Sequence, residues 1–555
     1  MRKNLLVIAI VIFFTNAMNA QAPAWVWSKS VSARLDNQSK VCASKDAAGG
    51  IIVSGQFDSN APFGASNLAV VGTIDLYATK YDQSGTPQWA KGFGGISNIM
   101  FPGGSAIDAA GNIYLAGAYS FGMDINGVNY YSAGDKDGYI IKLSPNGGVI
   151  WVKTYGAAAA QEFNSIAVSG NKIYVAGSYM GSFSTGSVNL PASNNGSADA
   201  MVLALDTAGN ALWAATGGGA DQDYIYSVAA SSSEVYVSGT VRGASATFGT
   251  TNLTGSGSAD DILVARVNAT TGNFDLAKRF GSNSTDQGTC VGYDSYGNIY
   301  VAGNFLGAIN FGNGSSSITS NGMNTYSDGF LAKLNSQGWG LWACRQGGAS
   351  DDVVTGMEVG INGYIYLCGY YSNGQGTLTS TTTSVTLASM GGADGFAAKY
   401  NPNGGILWGI KFGNTSDDRP KAIISDNNGY CYVMGNFFGS ITLGSLTAVN
   451  SLPTNIGTYI GRLNGFTTGL QEVKATYNFL MYPNPTTGQV NIELPEGKYM
   501  EEVEVYSLNG QRVHHAQLNL PVRSTSLDLA GLSTGIYQVK VLTPDGYANK
   551  AIEIK

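Results

Sequence analysis

Acidic side chains recur at one position of the chain, where they could bind a cation. The position lies ten residues after an aromatic marker and is aspartate in four successive cases. We call these four residues the junction carboxylates: Asp223, Asp286, Asp352 and Asp418. Asp351 and Asp417 directly precede two of them. If these carboxylates converge at the mouth of a central channel, they suit an oxygen-preferring cation such as Ca²⁺, or a polar ligand. The sequence leaves a second interpretation open, in which each side chain caps the amides of its own turn.

A second acidic series begins one predicted strand in each of six repeat units. We call its members the strand-start aspartates: Asp75, Asp137, Asp199, Asp261, Asp328 and Asp394. We interpret this series as scaffold, because one copy per unit does not single out a site. A catalytic pair should break the repeat, and we find no such pair in the sequence.

Histidine is nearly absent, which narrows the chemistry. The chain has two histidines, His514 and His515, both near its C-terminus. A Ser-His-Asp triad, a Cys-His pair or a His-ligated metal therefore cannot be assembled from the preceding residues. Carboxylate-only chemistry, such as glycoside cleavage, remains open. We expect no enzymatic activity and no cofactor other than a possible Ca²⁺.

The five cysteines form no motif. Cys344, Cys368 and Cys431 lie within apolar predicted strands, and Cys42 and Cys290 occupy equivalent positions of two repeat units. We expect buried thiols. An odd number argues against a full set of disulfides, although a single bridge stays open.

The elements that position the acidic residues repeat at a regular period. A Trp, replaced once by Leu276, marks seven units that start near residues 27, 89, 151, 213, 276, 342 and 408. The intervals of 62 to 66 residues indicate a repeat architecture. Stretches such as "DAAGNIYLAGAYS", in which a turn precedes an apolar strand, predict four antiparallel strands per unit.

These units predict an all-β chain with a seven-bladed β-propeller over residues 21–464. The strand "AWVWSKS" at Ala24 matches the last strand of a unit, and the seventh unit lacks that strand. We therefore expect the N-terminal strand to pair with the last unit and close the ring.

The repeat phrases resemble those of the SBBP-type β-propeller repeat family of secreted and cell-surface bacterial proteins. The resemblance rests on "W-x-K-x-FG-G", "DxxGNIYVAG" and "DGFLAKLNxxG" stretches and covers about residues 25–464. It implies a fold rather than an activity, because propellers include both enzymes and binding modules.

After a linker at 465–475, residues 476–555 predict a small Ig-like β-sandwich. Their phrases resemble the type A C-terminal sorting domain of the type IX secretion system of Bacteroidetes. The matching positions are Pro483, Asn484, Pro485, Gly488, Gly510, Leu532, Gly535 and Tyr537. The resemblance implies a translocation signal that the secretion machinery recognises, with the cargo then released or attached to surface lipopolysaccharide.

Residues 1–20 have the pattern of a signal peptide, because Arg2 and Lys3 precede the apolar run "LLVIAIVIFF". We expect cleavage there, and no integral membrane segment afterwards. The net charge of −7 without a basic block makes nucleic acid a poor partner. Export to the periplasm and then to the cell surface or the medium follows from both signals.

The sequence favours a non-catalytic binding or adhesion module with a glycan or a surface protein as ligand. Its Tyr- and Ser-rich loops, such as "GVNYYSAGDKD" at 127, suit stacking on sugars and adaptable hydrogen bonds. A structural envelope component without a discrete ligand is the alternative. A carboxylate-dependent glycan-active enzyme is the third hypothesis.

Overall fold

The computed structural model describes most of the chain. The described residues are 23–34, 39–64, 66–95, 99–255, 259–312, 316–321, 325–360, 363–372, 374–426, 430–450, 456–464, 478–507, 512–543 and 546–555. The predicted signal peptide and the predicted linker lie outside them. None of the elements in these ranges is an α-helix, and the all-β class predicted from the sequence is confirmed.

Strand β1 (Trp25–Arg34) precedes a series of repeat units, each of which contributes six strands until the last. The bounds in units I to III are β2 (Cys42–Lys45), β3 (Ile51–Phe57), β4 (Ala61–Phe63), β5 (Ser66–Leu68), β6 (Asp75–Tyr81), β7 (Pro87–Phe93); β8 (Ile99–Ile107), β9 (Ile113–Ser120), β10 (Gly122–Ile125), β11 (Val128–Tyr131), β12 (Asp137–Leu143), β13 (Val149–Tyr155); β14 (Gln161–Ser169), β15 (Lys172–Tyr179), β16 (Phe183–Ser184), β17 (Asn189–Leu190), β18 (Asp199–Asp206) and β19 (Ala211–Gly219). A short 3-10 helix, Asn194–Gly196, lies in unit III.

Units IV to VII continue the pattern. Their strands are β20 (Tyr224–Ala230), β21 (Glu234–Val241), β22 (Ser245–Phe248), β23 (Thr251–Thr254), β24 (Asp261–Asn268), β25 (Phe274–Phe280); β26 (Gln287–Tyr293), β27 (Ile299–Phe305), β28 (Ala308–Asn310), β29 (Ser317–Thr319), β30 (Asp328–Leu334), β31 (Gly340–Gln346); β32 (Asp352–Val359), β33 (Ile365–Ser372), β34 (Gln375–Thr379), β35 (Ser384–Ala388), β36 (Ala393–Tyr400), β37 (Ile406–Phe412); β38 (Asp418–Ser425), β39 (Cys431–Phe438), β40 (Ser440–Leu443), β41 (Leu446–Val449) and β42 (Ile456–Leu463).

Each unit contains a four-stranded antiparallel sheet and a hairpin, and in units IV and VI the hairpin also pairs with the sixth strand of the preceding unit. In units I to VI the first, second, fifth and sixth strands form the sheet, and the third and fourth strands form the hairpin. We call the sixth strand the outer strand. In unit VII the sheet order is β1-β42-β39-β38, so β1 takes the place of the outer strand. This pairing was predicted from the sequence and is observed, with Trp25 opposite Leu463.

Consecutive sheets pack against one another through their faces. The first strands lie side by side in chain order, and β38 of unit VII lies beside β2 of unit I. Separate apolar clusters fill the spaces between neighbouring sheets. One of them joins Tyr432 and Met434 of unit VII to Ile51 and Val53 of unit I. The apolar side chains on both faces of each sheet are thus covered by its neighbours.

The aromatic marker of one unit interlocks with a turn of the next. Trp27 lies on Gly85, where an added Cβ would stand 2.8 Å from ring carbons, and its Nε1 donates to the Gln83 carbonyl at 2.9 Å. The same bond joins Trp89 to Pro145, Trp151 to Thr207, Trp213 to Ala269 and Trp342 to Pro402. Gly85 has a φ of 79°, so it supplies both the turn conformation and the space for the ring.

The C-terminal residues form two further sheets. Their strands are β43 (Leu480–Tyr482), β44 (Gln489–Glu493), β45 (Met500–Ser507), β46 (Arg512–Val522), β47 (Ser524–Asp528), β48 (Gly535–Thr543) and β49 (Gly546–Ile554). The sheets have the orders β43-β44-β47 and β46-β45-β48-β49, and apolar residues of both share one core. That the sandwich is Ig-like stays a prediction.

The closing strand can be tested at one side chain. Trp25 is 9% exposed and meets the Phe412 ring edge-on at 5.1 Å, whereas its neighbour Val26 is 46% exposed. Trp25→Ala should lower the free energy of unfolding by about 3–5 kcal/mol, because it opens a cavity beside unit VI. Val26→Ala, the matched control in the same strand, should change it by less than about 0.5 kcal/mol. Denaturant unfolding of both variants measures the difference, and equal stability would contradict the docking of β1.

Candidate functional site

The junction carboxylates lie where the chain passes from one unit into the next. Asp352 and Asp418 begin β32 and β38, and Asp223 and Asp286 directly precede β20 and β26. All four side chains are buried. The connection that carries them follows the outer strand and opens at the same end of the sheet as the hairpin, because alternate strands of an antiparallel sheet run in the same direction.

Both oxygens of most junction carboxylates accept backbone hydrogen bonds. In Asp223, Oδ2 accepts from the amide of Gly219 at 2.7 Å and Oδ1 from the amide of Arg242 at 3.0 Å. The first bond closes the turn and the second ties it to the end of the unit's second strand. Asp286 accepts from Ser282 and Leu306, and Asp352 from Gly348 and Ser372, in the same arrangement. Asp418 accepts from Asn414 at 2.8 Å.

Unit III bridges the same two places without a charge, although one of its two hydrogen bonds runs in the opposite direction. Gln161 occupies the equivalent position, accepts from the amide of Ala157 at 2.7 Å and donates from Nε2 to the Met180 carbonyl at 3.1 Å. Its side chain is fully buried. An amide can therefore occupy this connection and close the same turn, and this observation supports the turn-capping interpretation.

Each junction carboxylate lies beside a strand-start aspartate of the preceding unit. A Cβ built on Gly413 would stand 2.8 Å from Oδ1 of Asp394 and 3.0 Å from Oδ2 of Asp418. Gly218 lies in the same way between Asp199 and Asp223, and Gly347 between Asp328 and Asp352. The structure thus brings together two series that the sequence analysis kept apart. A constant separation was the available signal, since each pair is 24 or 25 residues apart along the chain.

No larger acidic cluster forms in the described ranges. They contain no group of three or more His, Cys, Asp or Glu side chains that could hold a metal ion. The four junction carboxylates therefore form no such group with one another. Asp351 accepts from the amide of Ser327, and Asp417 accepts from the amide of Ala393 and pairs with Arg419 at 2.8 Å. Binding of Ca²⁺ stays a prediction.

Burial raises the pKa of every junction carboxylate, and the neighbouring strand-start aspartate adds to the rise. The pKa is about 7 for Asp223, about 6 for Asp286, about 7 for Asp352 and about 8 for Asp418. Oδ1 of Asp394 and Oδ1 of Asp418 are buried and have no hydrogen-bond partner in the described structure. A proton on one carboxyl of this pair would remove the repulsion between two buried negative charges.

In two of the carboxyl pairs an arginine, rather than a proton, reduces the repulsion. Arg279 is buried and its Nε donates to Asp261 at 2.5 Å, while Arg345 contacts Asp328 at 3.0 Å. A cation beside one carboxylate favours its charged form. At the junction of units VI and VII the cation that acts on Asp394 is Lys411, which forms no ion pair with it. The pKa of Asp418 at this junction is the highest of the four junction carboxylates.

Two grooves open on the hairpin end of the units. The first groove, about 620 Å³, lies between the hairpins of units I and II. The second groove, about 720 Å³, occupies the corresponding place between units III and IV. Asp75 lines the first groove and Asp199 lines the second, so each groove contains a strand-start aspartate. The sequence analysis missed them because three separate chain segments build the first groove and four build the second.

The cysteines are all free and buried, which confirms the prediction of buried thiols. Burial raises the pKa of the Cys290 thiol to about 11 and of the Cys344 thiol to about 12. Thiols of this kind are almost wholly protonated at neutral pH and are therefore poor nucleophiles.

The predicted sorting residues have structural partners in the C-terminal sheets. Asn484 Nδ2 donates to the Ala551 carbonyl at 2.9 Å, and its Oδ1 accepts from the Glu553 amide at 3.0 Å. Tyr537 is buried and its hydroxyl donates to the Ser533 carbonyl at 2.8 Å. Gly488 leaves room for Ala530, whose Cβ would stand 2.8 Å from an added Cβ. Gly510 lies outside the described residues.

Residues 480–555 match the family model of the secretion system C-terminal sorting domain. This match confirms the predicted type IX sorting domain at the C-terminus. It implies interaction with that secretion machinery and export to the outer surface or the medium. In the described part of the chain, no helix is long and apolar enough to cross a membrane. The resemblance of the repeat units to the SBBP-type family stays a prediction.

The remaining comparisons concern the repeat units. An uncharacterized WD repeat-containing protein of Acanthamoeba polyphaga mimivirus is 28% identical over 110 residues, which is 20% of this chain and 8% of that relative. Among solved structures, a europium-containing methanol dehydrogenase is 10% identical and covers 80% of this chain and 93% of its own, with a TM-score of 0.34. The WD40 β-propeller domain of Doa1 is 11% identical and covers 78% of this chain and 97% of its own, also with a TM-score of 0.34.

One expectation requires correction. The sequence analysis expected no enzymatic activity, because the repeat units lack histidine and a pair that breaks the repeat, and it kept a carboxylate-dependent enzyme as an alternative. The expectation of no enzymatic activity is wrong, because the similar solved structures include an enzyme, the methanol dehydrogenase. The absence of histidine removes only the chemistry that needs an imidazole, and carboxylates remain available in every unit. The likeness shows no activity for this chain.

The raised pKa of Asp418 predicts a pH-dependent stability. The folded chain binds more protons than the unfolded chain between about pH 4 and pH 8, so its stability should fall as pH rises through that window. Asp418→Asn keeps an acceptor for the Asn414 amide and removes the charge. We expect the loss of unfolding free energy between pH 5 and pH 9 to shrink by at least about 1.4 kcal/mol, the equivalent of one pKa unit.

Denaturant unfolding at both pH values measures this effect. Asp135→Asn removes an exposed carboxylate and is the matched control, which should retain the full pH dependence of the original chain. If the unfolding free energies of the original chain and of Asp418→Asn change with pH in parallel, ionisation of Asp418 does not lower the stability and the prediction is wrong.

Proposed function

We propose that the chain is a secreted or cell-surface β-propeller of seven blades that binds a ligand on its hairpin end. The seven blades are the sheets of units I to VII. The contact of β38 with β2 and the apolar cluster between units VII and I support a closed ring. A ring of antiparallel sheets leaves its inter-strand loops free to vary without disturbing the core.

The observation that carries the binding proposal is the pair of grooves at the hairpin end. Both lie between hairpins of neighbouring units, at corresponding places in the ring. Outside the grooves, further aromatic and cationic side chains pair up near the unit junctions, where Tyr224 stacks on Tyr226 and the Arg419 guanidinium lies 4.8 Å from the Tyr370 ring centre. Concave places with a few polar groups and aromatic walls are where small ligands bind.

The C-terminal sorting domain supplies the route to the ligand. A chain that lacks residues 478–555 should cross the inner membrane and accumulate in the periplasm of a host with the type IX machinery. The reason is that it lacks the sorting domain, which is the signal for the second translocation step. Immunodetection in periplasmic, surface and medium fractions measures the distribution. Tyr326→Ala, which leaves the sorting domain intact, is the control and should be exported normally. Efficient surface display of the truncated chain would contradict the proposal.

Binding can be tested with the purified chain of residues 21–555. We expect saturable binding to at least one member of an array that carries oligosaccharides and outer-surface proteins, because the grooves offer concave polar surface. Surface plasmon resonance on immobilised chain measures it, with heat-unfolded chain as the control. A chain that is exported normally but binds no member would contradict the binding function and favour a structural envelope role.

A further inference from the structure

The first groove differs from its counterparts in how its walls are made. Unit II departs from the repeat at the junction position, where the buried Met100 stands in place of a carboxylate or amide. The amide of Met100 donates to the Ile74 carbonyl at 3.1 Å, as the amide of Gln161 donates to the Lys136 carbonyl in unit III. Ile74 and Ile99 add a parallel bridge. Asp75 therefore has no junction carboxylate beside it. An apolar residue at this junction, next to a groove, marks a local departure from the repeat.

Three segments build the walls of the first groove. The loop after the hairpin of unit I contributes Val71, the end of its outer strand contributes Gly94, and the hairpin of unit II contributes Asp124 and Tyr131. The amide of Asp124 donates to the Gly94 carbonyl at 2.6 Å, which fastens the second hairpin across the junction. The groove is thus held by backbone hydrogen bonds between units, and its shape does not depend on a ligand.

Tyr131 gives the groove an aromatic wall. A Cβ on Gly122 would stand 3.0 Å from Cδ1 of Tyr131, so the ring rests on this glycine. The side chain is nevertheless 75% exposed, which leaves the rest of the ring accessible. Val71, 63% exposed, adds an apolar contact. An exposed ring on a fixed backbone provides stacking area at a low cost in conformational entropy.

The polar groups of the groove select the charge of the ligand. Asp75 accepts from the amides of Val71 and Gly72, and Asp124 accepts from the amide of Gly127, so both carboxylates are already engaged. None of the residues that line the groove, all of them in described segments, is basic. Two carboxylates without a cation disfavour phosphate, sulfate and uronate groups. The exposed amides of Asn67 and Asn129 can both donate and accept, which suits hydroxyl groups.

We propose that the first groove binds a neutral pyranose of a glycan, which stacks on Tyr131 and places its hydroxyls against Asn67, Asn129 and Asp124. The inference rests on the proposed binding function and names the site and the ligand class. The second groove has no equivalent wall, because its aromatic residue, Tyr179, is buried. The first groove is therefore the sugar site and the second is not.

The test uses the purified chain of residues 21–555 and an array of neutral, uronic-acid and amino-sugar hexasaccharides. We expect binding to a neutral hexasaccharide and at least tenfold weaker binding to its uronic-acid counterpart. Tyr131→Ala should weaken the neutral interaction at least tenfold in isothermal titration, and Tyr131→Trp should retain it. Tyr326→Ala, which removes another exposed tyrosine outside both grooves, is the matched control and should leave the affinity unchanged.

The outcomes separate the site from the function. Neutral-sugar binding that Tyr131→Ala and Asn129→Ala leave intact would overturn the first groove as the site, while the binding function would stand. A tenfold preference for the amino-sugar hexasaccharide would overturn the neutral class. Binding to proteins alone would overturn the glycan ligand and keep the proposed function. Unchanged melting temperatures of the variants show that any loss reflects the contact, because Tyr131 and Asn129 are exposed.

Discussion

The contact between an indole ring and a glycine turn connects the repeat units to one another. Trp27 of unit VII rests on Gly85 of unit I, and four further tryptophans do the same one unit along. The glycine has no Cβ, so the ring can reach the backbone, and the indole N–H meets a carbonyl that the turn leaves free. This contact fixes the angle between neighbouring sheets and with it the distance between their hairpins. The grooves exist because the distance between neighbouring hairpins is set by the indole–glycine contact and not by contacts between the hairpins themselves.

The exceptions to this contact are informative. Leu276 replaces the indole in unit IV and lies 3.2 Å from where a Cβ on Gly338 would stand, so the apolar contact survives and the hydrogen bond is lost. Trp408 is buried, yet its Nε1 has no acceptor in the described structure. The reason is topological, because unit VII has no continuous turn before its outer strand. The chain supplies β1 from its other end, where the Asn464 amide donates to the Ala24 carbonyl at 2.8 Å.

The repeat, the β class, the closing strand and the sorting domain could be predicted from the sequence, because each depends on residue types that recur at fixed intervals. It located the junction carboxylates but not their partners. Asp394 and Asp418 belong to different units and meet at Gly413, which only the packing of two sheets reveals. The first groove was out of reach for the same reason. Tyr131 was seen within a Tyr-rich loop, but the opposing wall at Val71 is 60 positions earlier in the chain.

Buried acid pairs raise the question of why a scaffold would keep them. Unit III shows that Gln161 makes equivalent backbone contacts with no charge, so hydrogen bonding alone does not require aspartate. A carboxyl differs from an amide in that it can take up a proton, and pKa values of about 6 to 8 place this change near neutral pH. The protonated pair is the more stable one, since a buried carboxylic acid needs no counter-charge. At the junctions with Arg279 and Arg345 the guanidinium offsets one of the two carboxylates, so the second carboxyl remains the group that can take up a proton.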